Sequence, residues 1–259
     1  MRNKRSEELA VCGFNAVQAL GTYHPEQIYR LFLREDKMKD FGAVCKKLAA
    51  MKRFYKISDD EELEKLCKSN RHQGVVAMIR EPKPIIPTDE LFAEWSAKGK
   101  IGVLLSSVGN DHNLGAIIRS AAFFNADYIV LSAEDKEAKL TTSTYRVAEG
   151  GMEHVTIVGS KNPEAFVKRA SQDLILIGAD HNAKQILKNL PEIIKNEQKT
   201  KRGILLVVGN EENGIPSNIR EQCLLVSIPG SKKMESLNVA QAATLFLHEI
   251  WQPQAPGKN

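Results

Sequence analysis

From Ile101 onward the chain alternates two kinds of segment, and this alternation most restricts how it folds. Short runs rich in Leu, Ile and Val (IGVLLSSV, DYIVLSA, HVTIVG, DLILIGAD, GILLVVGN and CLLVSIPG) are separated by segments with helical spacing, NLGAIIRSAAFFN, PEAFVKRASQ and ESLNVAQAATLFLHEIWQ. A run that is apolar at every position has no face to show to water. Strands of that kind need cover on both sides, and helices in the connections supply it, so the pattern predicts an α/β unit on a largely parallel sheet. In open sheets of this type ligands bind beyond the carboxyl ends of the strands. Three such ends stand out, Ser107–Arg119, Gly209–Ile215 and Ile228–Asn238, each mixing Gly or Pro with Asn, Ser, Glu or Arg.

Ahead of this unit, residues 81–99 carry three prolines and read as a linker, because proline fixes φ and removes a donor. Residues 1–80 form a smaller unit. VCGFNAVQALG reads as an amphipathic helix stopped at Gly21, Ile28–Leu33 as a strand, DFGAVCKKLAAM and DDEELEKLCKS as helices, and GVVAMI as a strand. The third helix crowds carboxylates at its N-terminus, as the helix dipole prefers.

The net charge is only +4, but residues 1–56 hold 12 Lys/Arg against 6 Asp/Glu. A basic end can attract a polyanion such as RNA, or be an ordinary solvated surface. Phe32, Phe41, Phe54 and Tyr55 are scattered in the sequence, which is not the aromatic interleaving of a strong single-strand binder. Cys12, Cys45, Cys67 and Cys223 form no CxxC, and the six histidines have no metal-ligand spacing, so neither a disulfide nor a structural zinc is expected. No run approaches the roughly 18 apolar residues of a membrane span, and no signal-peptide core follows the charged start. A cytoplasmic protein with no membrane partner and no metal is expected.

The three strand ends have bland readings as well as functional ones. VVGNEENGIP is neither GxGxxG nor a phosphate loop. Its glycines suit a ligand-cradling turn, or a loop before a helix started by Pro216. In SIPGSKKMESLNVAQAA, Ser236 can cap the closing helix, with Asn238 nearby. In SSVGNDHNLGAIIRSAA, Arg119 lies between Ala116–Ile118 and Ala121–Ala122. It is either buried and in need of a partner, or a surface arginine at the helix edge.

Taken together and in order, NLGAIIR, GNEENG and IPG…SLNVA resemble the three motifs of the SpoU (TrmH-type) branch of the SPOUT methyltransferases, across about residues 100–250. GFNAVQAL and HQGVVAMI resemble the substrate-binding domain of family members that modify ribosomal RNA, and AEGGMEHV is most like the YfiF-like subgroup. The resemblance implies an α/β protein with a trefoil-knotted SPOUT domain over 100–259, preceded by a small α/β RNA-binding domain of ribosomal-protein-like fold over 1–80. It implies S-adenosyl-L-methionine (SAM) as cofactor, rRNA or tRNA as partner, and a homodimer through the C-terminal domain. Carried onto these positions, Gly209, Ile228 and Leu237 would give SAM backbone contacts, with Asn210 and Gly230 in the same loops. Arg119 would contact RNA and help activate a ribose 2'-hydroxyl, Asn113 and Glu211 would position it, and Ser236 and Asn238 would complete the pocket.

Two positions depart from the family pattern. Gly230 stands where many relatives have Met, and AEGG places Glu149 where many have a serine. The competing readings are an RNA-binding protein of this fold without turnover, which the retained Asn113, Arg119, Glu211, Ser236 and Asn238 oppose, and a nucleotide-dependent dehydrogenase, which the missing glycine fingerprint opposes.

Overall fold

The computed structural model describes residues 8–106, 109–132, 139–197, 203–210, 213–231, 233–234 and 236–252. The chain divides into two compact units, Met1–Lys83 with Lys139–His154, and Pro84–Ala138 with Val155–Asn259.

The first unit opens with β1 (Glu8–Cys12), α1 (Phe14–Tyr23), β2 (Ile28–Leu33), α2 (Gly42–Ala50), β3 (Phe54–Ile57), α3 (Asp60–Cys67) and β4 (Val75–Arg80). Its sheet has the order β1-β4-β2-β3, with β4 antiparallel to β1 and β2 and β3 parallel to β2. On one face Ala10, Cys12, Phe32, Val76 and Met78 pack with Leu63 and Cys67 of α3. The Asp59 side chain caps α3 by accepting from the Glu62 N–H at 2.8 Å, and Asp60, Glu61 and Glu62 fill its first turn. Two expectations change here. Val11 and Cys12 belong to β1, because Gly13 at φ 101° turns the chain before α1 begins. Gly21 does not stop α1 but lies inside it, where a Cβ would come within 2.6 Å of Val44 in α2.

The second unit follows with α4 (Asp89–Ala97), β5 (Ile101–Leu105), α5 (Asp111–Phe123) and β6 (Tyr128–Ser132). After the segment containing α6 (Thr142–Ala148) come β7 (Thr156–Ser160), α7 (Pro163–Ala170), β8 (Ile175–Ala179), β9 (Gln185–Ile186) and α8 (Leu190–Glu197). The chain closes with β10 (Ile204–Val208), α9 (Ser217–Arg220), β11 (Leu224–Ser227) and α10 (Val239–Trp251). The strands form one parallel sheet in the order β7-β6-β5-β10-β8-β11-β9. β5, β6 and β10 are buried along their whole length, as their unbroken apolar runs require.

The linker expected at 81–99 is instead folded. Ile85 bridges to Val158, donating its N–H to the Ile157 carbonyl at 2.9 Å. Thr88 caps α4, and Phe92 and Trp95 enter the core of the unit. The Trp95 indole N–H donates to the carbonyls of Lys100 (2.9 Å) and Ile204 (3.2 Å), and its ring fills the space above Gly102 and Gly203, where a Cβ would lie 2.2 and 2.5 Å away. Prolines at 82, 84 and 87 disguise a segment whose two large aromatic side chains are fully packed.

Residues 139–154, expected within the second unit, pack with the first. α6 lies against β1, and the 3-10 turn Gly151–His154 against α1. Tyr145, Ala148 and Met152 are buried, and burial raises the Tyr145 phenol above its ordinary value. The Asn15 amide donates to the Glu149 carboxylate at 2.6 Å, and Tyr23 meets the His154 ring edge-on at 4.6 Å.

Candidate active site

The parallel sheet delivers the three suspected loops to its carboxyl edge. β10 is seated between β5 and β8, pairing Val208 with Leu105, and Ser106 donates its N–H to the Val208 carbonyl at 2.9 Å. The exits of β5 and β10 therefore start side by side, at the point where the connections turn to opposite halves of the sheet.

The loop after β10 is a tight closure. Asn210 and Gly214 exchange N–H to carbonyl bonds at 3.2 and 2.9 Å, and the Asn210 side chain accepts from the Asn213 N–H at 3.3 Å. Gly209 sits under this closure. A Cβ there would stand 2.2 Å from the Gly214 carbonyl group, so only glycine fits. Ile215 and Ile219 anchor the far side in the core. Glu211 lies outside the described residues.

The exit of β11 is fixed by Ser227, whose hydroxyl donates to the Ala183 carbonyl at 3.0 Å. Beyond it Ile228 is half-buried, and Pro229 and Gly230 are exposed. A Cβ at Gly230 would meet nothing within 4 Å, so the missing family side chain leaves open space. Leu237 is 45% exposed beside the start of α10. These loops offer backbone donors and acceptors together with Ile228 and Leu237 as apolar surface. That combination suits a ligand with a flat heterocycle and a polar tail, and SAM fits it.

Asn238, not Ser236, caps α10, accepting from the Ala240 N–H at 2.9 Å, while Ser236 stays exposed two residues upstream. The Asn238 amide also donates to the Asn113 side-chain oxygen at 3.0 Å, tying the loop after β11 to the first turn of α5. Asn110 caps α5 through the His112 N–H at 2.8 Å, a role the sequence reading did not assign although an Asn just ahead of a helix signals it. Lower down, the Ser120 and Thr244 hydroxyls share a 2.7 Å hydrogen bond between α5 and α10. Arg119 is exposed, which settles the choice left open by the sequence. Leu114, Ile117, Ile118 and Ala121 take the buried face of α5, and Arg119 falls on the outer strip with His112 and Phe123 at spacings of seven and four. It makes no ion pair among the described residues. Six residues from Asn113 is about 1.7 helical turns, so the two side chains leave the helix in different directions.

Against known families, residues 100–248 match the model described as the SpoU rRNA Methylase family. The chain belongs to the SpoU rRNA methylase family. Residues 10–85 match the model for RNA 2'-O ribose methyltransferase substrate binding. An uncharacterized tRNA/rRNA methyltransferase, YfiF, of Escherichia coli O157:H7 is 27% identical over 256 residues, which span 97% of this chain and 70% of that one. The 23S rRNA (guanosine-2'-O-)-methyltransferase RlmB of Neisseria meningitidis serogroup B is 29% identical over 92% of this chain and 93% of its own. Among solved structures, the SpoU methyltransferase AviRb of Streptomyces viridochromogenes with AdoMet superposes with a TM-score of 0.72 at 23% identity, covering 100% of this chain and 95% of that one. This SpoU protein is an RNA ribose 2'-O-methyltransferase.

The Asn238–Asn113 bond can be separated from the cap. Asn238→Ser keeps a capping oxygen of similar strength but removes the amide donor. The expected result is a melting temperature within about 2 °C of the parent and methyl transfer reduced about tenfold, as for the loss of one hydrogen bond of ~1.4 kcal/mol. Unchanged turnover would show that the bond serves only the helix junction.

Proposed function

We propose that the loops leaving β5, β10 and β11 hold SAM and a ribose of rRNA or tRNA, with Arg119 at the reacting centre. The observation that carries this reading is the Asn113–Asn238 hydrogen bond, which ties the first motif to the third at the sheet edge where the Gly209 closure of the second also lies. Gly209, Asn210, Ile228, Gly230 and Leu237 hold the cofactor, chiefly through their backbone. SAM supplies an activated methyl group, which leaves orientation and charge control to the protein. A ribose 2'-hydroxyl is a weak nucleophile at neutral pH, so it must be aligned and its developing negative charge met. Arginine is too weak an acid to act as an ordinary base, so Arg119 stabilises that charge or grips the adjoining phosphate. Asn113, Glu211, Ser236 and Asn238 order the loops and the ribose around it.

The reading extends to a trefoil knot, supported by the late strand β10 entering between β5 and β8, and to a ribosomal-protein-like fold for the first unit. It also includes a homodimer. The outer strip of α5 carries Phe123 at 80% exposure, and α10 leaves Leu245 at 41%. Apolar surface of that kind, beside the exposed Arg119, suits a second copy whose surface completes the site. No helix among the described residues is long and apolar enough to cross a membrane, which accords with a role on cytoplasmic RNA. Incubating the protein with ribosomal and transfer RNA and methyl-labelled SAM, then mapping alkali-resistant 2'-O-methyl positions, tests the activity. Label at a defined ribose is expected from a protein that scatters light as a dimer. Label on a base, or none on either RNA class, would overturn it.

A further inference from the structure

We propose that the ion pair between Asp180 and Arg220 is a brace that sets the spacing of the loops leaving β10 and β11, and so governs SAM affinity. The proposal rests on the cofactor site assigned above and adds two positioning residues to it. The sheet order puts the exit of β8 between the exits of β10 and β11, because β8 pairs in parallel with both. A ligand held by both loops therefore lies beside the end of β8.

Asp180 is the first residue after β8, and each of its polar groups is used. Its N–H donates to the Val226 carbonyl at 3.0 Å, its carbonyl accepts from the Ala183 N–H at 3.1 Å, and Oδ1 accepts from the Asn182 N–H at 2.7 Å. Oδ2 stands 2.5 Å from the Nε of Arg220. The turn built this way ends at the Ala183 carbonyl, which takes the Ser227 hydroxyl just ahead of the loop after β11. Arg220 closes α9, which follows the Gly209–Gly214 closure of the loop after β10. The pair thus joins one loop to the other through the exit of the strand between them.

α9 needs such a hold. A helix of four residues is too short to sustain itself, so its place is set from outside. Ile219 fixes it to the core, and the Asn218 amide donates to Glu164 of α7 at 2.6 Å. Of these three neighbours, Arg220 is the one that reaches the ligand edge of the sheet. The chemistry of the pair also points to position rather than to stability. The Asp180 side chain is 12% exposed, and a charge pair held that far from water is often replaced by apolar residues with no loss of stability. The Arg220 Nε is buried with no acceptor in line among the described residues, so the attraction acts between charges rather than along a directed bond. Opposite charges on the two parts draw them together, and neutral side chains of the same shape would leave the gap slack.

The test measures SAM affinity by calorimetry, with melting temperature and methyl transfer to RNA, for the full chain and for Asp180→Asn, Arg220→Gln and the double variant. Asparagine keeps the oxygen that accepts from Asn182 and loses the charge. Each single variant is expected to raise the Kd for SAM about tenfold, within the usual range for residues that act as a unit. At saturating SAM and RNA, kcat should stay within about twofold of the parent, as for a loss confined to binding. The double variant should bind no worse than the weaker single variant, because the brace is lost only once. Arg220→Lys keeps the charge, and no directed bond is needed, so its affinity should stay within about threefold of the parent. The Arg220 side chain is 42% exposed, so Arg220→Gln decides alone if Asp180→Asn does not fold. Parental SAM affinity in the single variants, with or without a lower melting temperature, would reduce the pair to an ordinary structural ion pair and overturn the proposal. So would losses that multiply in the double variant. If the parent binds SAM and the variants match it, only the brace fails. If the parent itself binds no SAM, the cofactor site fails and the brace with it.

Discussion

Arg119→Ala is expected to lower methyl transfer about 10²–10³-fold, the usual cost of removing one group that meets developing charge, while SAM affinity stays nearly intact. Two features make the experiment clean. Arg119 is exposed on the outer strip of α5 and carries no packing load, so its removal should shift stability by no more than about 0.5 kcal/mol. It also lies on a helix rather than in the loops assigned to the cofactor, so a cofactor effect is not expected. Arg119→Lys refines the result. A lysine keeps the charge but loses the planar fork that grips a phosphate through two bonds, so partial recovery would point to simple charge stabilisation. No recovery would point to two-pronged recognition. Single-turnover methylation with saturating RNA, alongside calorimetric SAM titration, separates the arms. Parallel losses of SAM binding and turnover would remove Arg119 from its assigned role.

The second large effect concerns Gly209→Ala. The added methyl would sit 2.2 Å from the Gly214 carbonyl group, which is backbone and cannot swing aside as a side chain can. The exchange of hydrogen bonds between Asn210 and Gly214 must open, and overpacking of this kind costs about 1–3 kcal/mol or more. For a protein of this size that lowers the melting temperature by several degrees, at about 2–4 °C per kcal/mol. On the proposed reading, in which this loop holds SAM, the change of its shape should lower SAM affinity at least tenfold. Gly230→Ala is the matched control, since its new methyl meets nothing within 4 Å and should leave the fold untouched. A Gly209→Ala protein with parental melting and parental SAM binding would show that the closure is not part of the cofactor site.

Much of this was legible from residues alone, and the failures have physical causes. Strands buried on both faces announce themselves through uninterrupted Leu, Ile and Val, so β5, β6, β8 and β10 were plain. β3 was missed because it is an exposed edge whose RFYKI composition resembles a solvated loop. β1 was absorbed into the next helix because Gly13 alone marks the turn. α4 was read as linker because its prolines speak locally, whereas the space that Trp95 fills is made by Gly102 and Gly203 from distant strands. The site followed the same rule. Gly209 was recognisable as a position of close approach. The Asn113–Asn238 bond joins residues 125 apart in sequence and has no local signature. The exposure of Arg119 depended on which stripe of α5 meets the core, and the apolar residues on both sides of it left two answers open.

The first unit draws its parts from two stretches of the chain, and this matters during synthesis. As residues 1–83 leave the ribosome, β1 and α1 still lack α6 and the turn that ends at His154. The unit cannot close until much of the catalytic half has been translated, so the nascent chain carries an unfinished RNA-binding module through that interval. A genetic cut after Lys83 would make the incompleteness permanent. It would strip the cover from one fragment and leave Tyr145 and Met152 bare on the other. Chimeras that exchange RNA specificity between relatives must therefore transplant two stretches of gene, with the short internal one moving together with the long leading one.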